Sequence, residues 1–269
     1  MYASNYICQG IIAFVERQFN LLKRYLSWEI VFLFYTVVNT LTIGLIRIEF
    51  GGAQSSSRVL YLVIGALMWG YLSIIFHEVA ESISWERWEG TIEFTFASPI
   101  HRLVHLSGMC TYASVYGMIR TVIVMVVVTF FFELHLEQAN FLGALLVLIT
   151  SSLALMGLGL IAAVFPVLSP EKGSQASHIL EGFLLLISGV YYEVSVLPAW
   201  MQPLSRLSPA TYTIRAIRAA ILNGASTASL LPDIGKLLVT GIILFPLGYA
   251  IFQRVEHWAL KTGKLKRTG

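Results

Sequence analysis

Charge is what this chain has least of. Lys, Arg, Asp and Glu make up 12% of its 269 residues, about half the roughly 25% usual in soluble domains. The net charge of +3 is too small to argue for a nucleic-acid partner. Two cysteines, Cys8 and Cys110, are too few and too far apart for a disulfide framework or a thiolate metal site. No G-x-x-x-x-G-K-[ST] run occurs, so the chain lacks the loop that cradles nucleotide phosphates. The nearest approach to a zinc-hydrolase motif is His77-Glu78-Val79-Ala80-Glu81, where Glu81 stands in place of the required second histidine. With no third ligand in view, no metal is expected. His101 and His105 are also four apart, but they flank the start of an apolar run and read as interfacial. Repeats, low-complexity tracts and a separate soluble region are missing too, so residues 1–269 read as a single transmembrane domain. Glu16, Arg17, Lys23 and Arg24 interrupt the apolar positions near the start, and no cleavable leader is expected.

What is abundant is hydrocarbon. Hydrophobic residues are 57% of the chain, in runs near the ~20 residues that a ~30 Å bilayer core requires. A soluble fold could not cover that much apolar surface, so the solvent must be lipid. The pattern predicts an all-α integral membrane protein with six transmembrane helices, at about Trp28–Ile46, Val59–Phe76, Leu103–Phe132, Phe141–Leu168, Ile179–Tyr192 and Leu237–Phe252. Between the first two, Arg47 to Arg58 read as a short loop rich in Gly and Ser. Ahead of them, residues 10–26 form an amphipathic helix. Ile11, Ile12, Val15, Phe19, Leu22 and Leu26 lie on one side, with the charged residues largely on the other. Such a helix either lies in the membrane interface or packs on the protein's own cytosolic edge. In the fourth span, Ala154, Gly157, Gly159, Ala162 and Ala163 offer small-residue faces, read as internal packing more than a dimer seam.

Six spans put both termini on one side, and Lys and Arg indicate which. With termini inside, the inner segments hold eleven of these residues: Arg17, Lys23, Arg24, Arg87, Arg102, Lys172, Arg254, Lys261, Lys264, Lys266 and Arg267. The outer segments hold six: Arg47, Arg58, Arg206, Arg215, Arg218 and Lys236. Cytoplasmic termini follow. Arg120 falls within the third span, where a cation costs at least ~2.5 kcal/mol. It either lines a substrate path or pairs with a carboxylate from another span.

Two segments are neither spans nor ordinary loops. Residues 84–98 form a short cytosolic helix. Trp85, Trp88, Ile92 and Phe96 make an aromatic stripe beside an acidic one of Glu86, Glu89 and Glu93, and Ser98-Pro99 ends the pattern. Anionic leaflet lipid would repel the acidic stripe, whereas a basic groove on a protein would accept it. The plainer alternative is a solvated helix with no partner. Residues 193–224 precede the last span, broken by Pro198, Pro203 and Pro209, with Ala210–Leu222 helical and Asn223-Gly224 as its stop. This segment reads as a broken outer-leaflet helical piece, re-entrant or lid-like, or else as an ordinary structured loop. Tyr191, Tyr192 and Trp200 fit an interfacial aromatic belt, with substrate contact as the minor reading.

These two segments carry a likeness. Glu86-x-x-Glu89-Gly90-Thr91-x-Glu93 followed by Ala97-Ser98-Pro99-Ile100 resembles the signature of ABC-2 type transporter permeases. Leu197-Pro198-x-Trp200, then Leu207-Ser208-Pro209-x-x-Tyr212 and Arg218 before Asn223-Gly224, resembles that family's second characteristic stretch. Glu193 departs from it, standing where many members carry proline after the aromatic pair. The resemblance implies the permease subunit of an exporter in a bacterial or archaeal plasma (inner) membrane. It would move a drug-like compound, a lipid or a lipid-linked saccharide. It also implies no cofactor on this chain, with ATP and Mg on a separate ABC ATPase subunit, and a second permease copy completing a homodimer. Residues 84–98 would be the coupling helix, with Trp85, Glu86, Trp88, Glu89, Gly90, Thr91, Glu93 and Pro99 at the ATPase. Arg120, Tyr191 and Tyr192 are candidates for the substrate path; Pro198, Trp200, Pro209, Tyr212 and Arg218 mark the outer segment. The competing functions are a membrane-embedded hydrolase or transferase, for which no catalytic constellation is visible, and a non-transporting scaffold.

Overall fold

The computed structural model describes residues 2–50, 55–134, 136–169 and 172–263, with side chains from residue 7 to 46 and from 59 onward within these ranges. Part of the loop expected between Arg47 and Arg58, Pro170, and the tail bearing Lys264, Lys266 and Arg267 lie outside the described residues. Everything described is helix, turn or connection, with no strand among the described residues. The helices are α1 Tyr2–Arg24, α2 Leu26–Phe50, α3 Ser55–Glu89, α4 Ile92–Ala97, α5 Arg102–Phe131, α6 Phe141–Ala162, α7 Val164–Leu168, α8 Gly173–Ile187, α9 Gln202–Leu207, α10 Pro209–Leu222 and α11 Thr227–Lys261. A single 3-10 turn at Val194–Val196 lies between α8 and α9.

Among the described residues, five stretches are long and apolar enough to cross a membrane: Leu26–Ile46, Val59–Glu89, Arg102–Phe131, Phe141–Leu168 and Thr227–Lys261. The fifth of the six expected spans, at Ile179–Tyr192, is not among them. Its helix, α8, has 15 residues, about 22 Å, short of a ~30 Å hydrocarbon core. Yet the chain continues beyond it along α3. Ser174 Oγ sits 3.4 Å from Ser84 Oγ, and the Val190 carbonyl lies against Gly65. Nineteen residues of α3 separate those contacts, about 28 Å of rise. Helix α8 and its extension therefore run along about 28 Å of α3, roughly half of that helix.

Lower denotes the end carrying Glu89, α4 and the start of α5; upper denotes the end carrying α10. Helix α6 is the central post, and small residues let its neighbours approach it closely. A Cβ on Gly157 would meet the backbone of Leu244 in α11 at 2.5 Å, and one on Gly159 would meet Val79 of α3 at 3.1 Å. The small-residue faces of this helix thus serve internal packing. Around the post, Val63, Leu67, Ile214, Ile217 and Leu237 fill the upper core, while Ile83, Leu106, Leu160 and Phe252 fill the lower one. Helix α2 is peripheral, and Trp28, Phe32, Phe34 and Tyr35 face outward, as suits a lipid-facing helix.

Helix α1 runs beside the start of α5. Gly10 lies on Val104, Phe14 stacks 4.8 Å from His105, and Phe19 meets Tyr112 edge-on at 5.1 Å. Of the apolar face expected for this helix, Ile11 and Phe19 meet α5 here, while Ile12 and Leu26 stay exposed. The loop expected from Arg47 to Arg58 is shorter than predicted, because α2 runs to Phe50 and α3 starts at Ser55.

Candidate functional site

The segment expected to be one separate helix over 84–98 is a bent end instead. Helix α3 has no break after Phe76 and continues as one 35-residue helix to Glu89. It stops at Gly90, whose φ of 74° is the left-handed conformation that glycine adopts at no steric cost. Thr91 N–H donates to the Glu86 carbonyl at 2.9 Å, and Gly90 N–H donates to the Arg87 carbonyl at 3.2 Å. That is a Schellman stop. The six-residue α4 follows, then Ser98-Pro99 turns the chain into α5, where His101 caps by accepting from Leu103 N–H at 3.2 Å.

The bend also splits the two stripes. Trp85 and Trp88 are 53% and 69% exposed, whereas Ile92 is buried. Glu89 and Glu93 point outward, and Trp85 Nε1 donates to Glu89 Oε1 at 3.1 Å. Glu86 corrects the expectation of an outward acidic stripe. It is buried between Arg17 of α1, 3.0 Å away, and His105 of α5, 3.6 Å away. Burial of an ionised carboxylate demands a partner, and α1 supplies it.

Two further guanidinium groups brace this end. Arg87 donates to the carbonyls of Pro166 and Val167 at 3.0 and 2.6 Å, tying α3 to α7. Arg102 pairs with Glu256 of α11 at 2.8 Å, donates to the Thr95 and Phe96 carbonyls, and stacks 4.2 Å over the Phe96 ring. The outcome is a rigidly held knob. Trp85, Trp88, Glu89, Glu93 and Phe94 face outward, while their neighbours in sequence do the holding.

Arg120 is far from this knob. It reaches across to α2, pairing with Glu29 at 3.4 Å and donating to the Phe32 carbonyl at 2.7 Å, Thr36 Oγ1 at 2.8 Å and Tyr116 Oη at 2.8 Å. Tyr116 in turn donates to Glu29. Arg120 is thus paired with a carboxylate from another span. A separate apolar cavity of about 440 Å³ lies between α3, α5, α6 and α10, lined by residues including Leu67, Met68, Met125, Val126, Ile217 and Ile221.

At the upper end the second motif closes on itself. Arg218 of α10 is buried and donates to the carbonyls of Gly189 (3.0 Å), Val190 and Tyr61 (3.2 Å), with its guanidinium 3.5 Å from the centre of the Tyr61 ring. Burial lowers the Arg218 pKa from its usual value, and the neighbouring tyrosine works against that shift. Tyr191 follows Val190 and packs on the upper core. Tyr192 donates to the Leu186 carbonyl. Pro209 begins α10, Tyr212 donates to the Arg206 carbonyl at 2.7 Å, the Pro198 carbonyl receives Met201 N–H at 2.8 Å, and Trp200 is 70% exposed. The predicted residues thus fall into three groups, the knob, the Arg120 pair and the Arg218 latch, and they do not meet.

Sequence reasoning missed the partners: Arg17 and His105 for Glu86, Glu29 for Arg120, and Tyr61 and Gly65 for Arg218. One signal was available. Glu29 lies at the start of an apolar run where an unpaired carboxylate is costly, so it called for a cation.

Long apolar helices, a braced knob at one end and a proline-broken segment latched at the other define a multi-pass membrane protein built around helices that cross. The chain belongs to the ABC-2 type transporter family, which matches residues 9–222. It is similar to the inner membrane transport permease YadH of Escherichia coli (strain K12), 24% identical over 211 residues that make up 78% of this chain and 81% of that protein. The YadH proteins of Escherichia coli O157:H7 and Shigella flexneri align with the same identity and coverage. It is a membrane transport permease of the ABC-2 type.

Proposed function

We propose that this chain is the permease subunit of an ATP-driven exporter in a bacterial or archaeal inner membrane, working with a separate ABC ATPase and a second copy of itself. The knob carries the reading. Two exposed tryptophans, Phe94 and two outward carboxylates stand on a base fixed by Glu86, Arg87 and Arg102. A base of that kind lets a push on the knob move α3, α5 and α11 instead of bending a loop. Trp85, Trp88 and Phe94 would enter an ATPase groove, with Glu89 and Glu93 meeting basic residues at its rim. Glu86 would act from behind, as would Gly90, Thr91 and Pro99, which shape the turn. ATP and its Mg would stay on the partner.

The same reading has six crossings, with α8 and its extension to Val190 as the fifth. What supports this is the ~28 Å which that segment shares with α3; both termini would then lie in the cytoplasm, the side that the Lys and Arg balance favours for six crossings. The cargo would be an amphipathic drug, a lipid or a lipid-linked saccharide, and the apolar cavity beside α5 suits its hydrocarbon part. The test is Glu89→Lys, with the chain purified from its native membrane. The expected result is loss of the stoichiometric ATPase and of ATP-driven transport, with the permease still inserted. Unchanged association and transport would overturn the proposal.

A further inference from the structure

His77 is the first residue of α3 beyond its apolar stretch, seven residues above Ser84 and twelve below Gly65, or about 10 and 18 Å of helix rise. Two side chains of α8 reach it. Glu181 Oε2 is 3.3 Å from His77 Nδ1 and 3.5 Å from His178 Nδ1, so both imidazoles converge on one carboxylate oxygen. The two rings lie 4.4 Å apart. One ligand atom from each of the three residues falls within 4.8 Å of the others.

The spacing has a chemical meaning. Bonds of 2.0–2.1 Å in a tetrahedral zinc site place neighbouring ligand atoms about 3.3–3.4 Å apart. The two carboxylate–imidazole separations, 3.3 and 3.5 Å, lie close to that edge length, and the three ligand atoms, within 4.8 Å of one another, would draw together on a bound ion. His178 and Glu181 are three apart, so one face of α8 presents both. His77 completes the set from a facing helix. The sequence reading found a single histidine with a glutamate where its partner should be, because the other ligands lie a hundred residues away on α8.

We infer that His77, His178 and Glu181 form a binding site for one divalent transition-metal ion, a clip between α3 and α8 with an open fourth position. Two imidazoles and one carboxylate favour zinc, cobalt or nickel over magnesium or calcium, which seek all-oxygen shells. The proposal is independent of the exporter reading and of the direction of transport.

The experiment uses the full chain, purified in mild detergent through a tag free of histidine and stripped with chelator. Co2+ is titrated while the visible absorption of a tetrahedral centre is followed, and Zn2+ then competes it away. One ion per chain is expected, with a Zn2+-dependent rise in Tm that Mg2+ does not reproduce. His77→Ala, and separately the exposed His178→Ala, should each weaken binding by about 100-fold or more, since even supporting partners of metal ligands are worth 10–100-fold. His101→Ala, which removes the α5 cap but no ligand of the cluster, should leave Co2+ binding unchanged. Should a variant unfold, Glu181→Gln serves in its place, holding the side chain's shape while removing the anionic ligand. Co2+ binding that is absent, or that survives equally in the His77 and His178 variants, would overturn the site.

Discussion

Removing the charge of Glu29 should harm this protein more than removing Arg120, although the two form one pair. Glu29→Gln keeps the side chain's shape and leaves a guanidinium between α2 and α5. Arginine cannot shed its proton, so the cation stays where insertion scales set a cost of at least ~2.5 kcal/mol. Breaking a fully buried pair in this way costs about 3–5 kcal/mol. These side chains are 14% and 26% exposed, and a discounted loss of about 2–3 kcal/mol follows. Arg120→Met forfeits the contacts to Glu29, Phe32 and Thr36, each worth about 0.6 kcal/mol across membrane helices. It also removes the buried cation, and the carboxylate left behind keeps Tyr116 as a donor. The two effects nearly offset, for a net change within about 1 kcal/mol. The double variant should resemble Arg120→Met, giving a coupling near 2 kcal/mol. Reversible SDS titration in mixed micelles reads all three. Arg120→Met costing as much as Glu29→Gln would refute the reasoning, because Arg120 would then be valuable for something other than its neighbour.

Two other substitutions probe the packing. Gly157→Leu would drive a side chain into the Leu244 backbone; prying α6 from α11 should cost about 3 kcal/mol or more, beyond ordinary overpacking, read as loss of monodisperse protein in detergent. Arg218→Met should release the carbonyls of Gly189 and Val190, at about 1–3 kcal/mol for each acceptor left without a donor. Limited proteolysis should then cut within 189–209 at a rate well above wild type.

The apolar spans were readable because lipid imposes a plain rule: every residue facing it must be apolar, over a fixed length. The starts of α5 and α6 fall within one residue of where hydropathy put them. The end of α3 was not readable that way. Its turn to charged residues after Phe76 marks where the lipid face ends, but a helix has no reason to stop there, and it runs on until Gly90. The short α8 misled for the opposite reason, since its extension packs against α3 without regular helical form. Side-chain partners were the least legible layer. Glu86 looked like one tooth of an acidic stripe, and its burial depends on α1 and α5, whose approach is set by Gly108 and the Phe14 ring. Long-range pairs of this kind leave no local period.

Helix α3 has no proline, and its 35 residues make a rod about 52 Å long. Such a rod behaves as a see-saw: a 5° tilt about its middle carries each tip about 2 Å, in opposite directions. Near one tip stand Trp85 and Trp88. Towards the other, Gly65 touches the Val190 carbonyl and the Arg218 guanidinium with no space even for a methyl group. A tilt begun below therefore cannot be absorbed above. The latch must slide along with α3 or let go, and the proline-broken segment would register a movement made some 36 Å away.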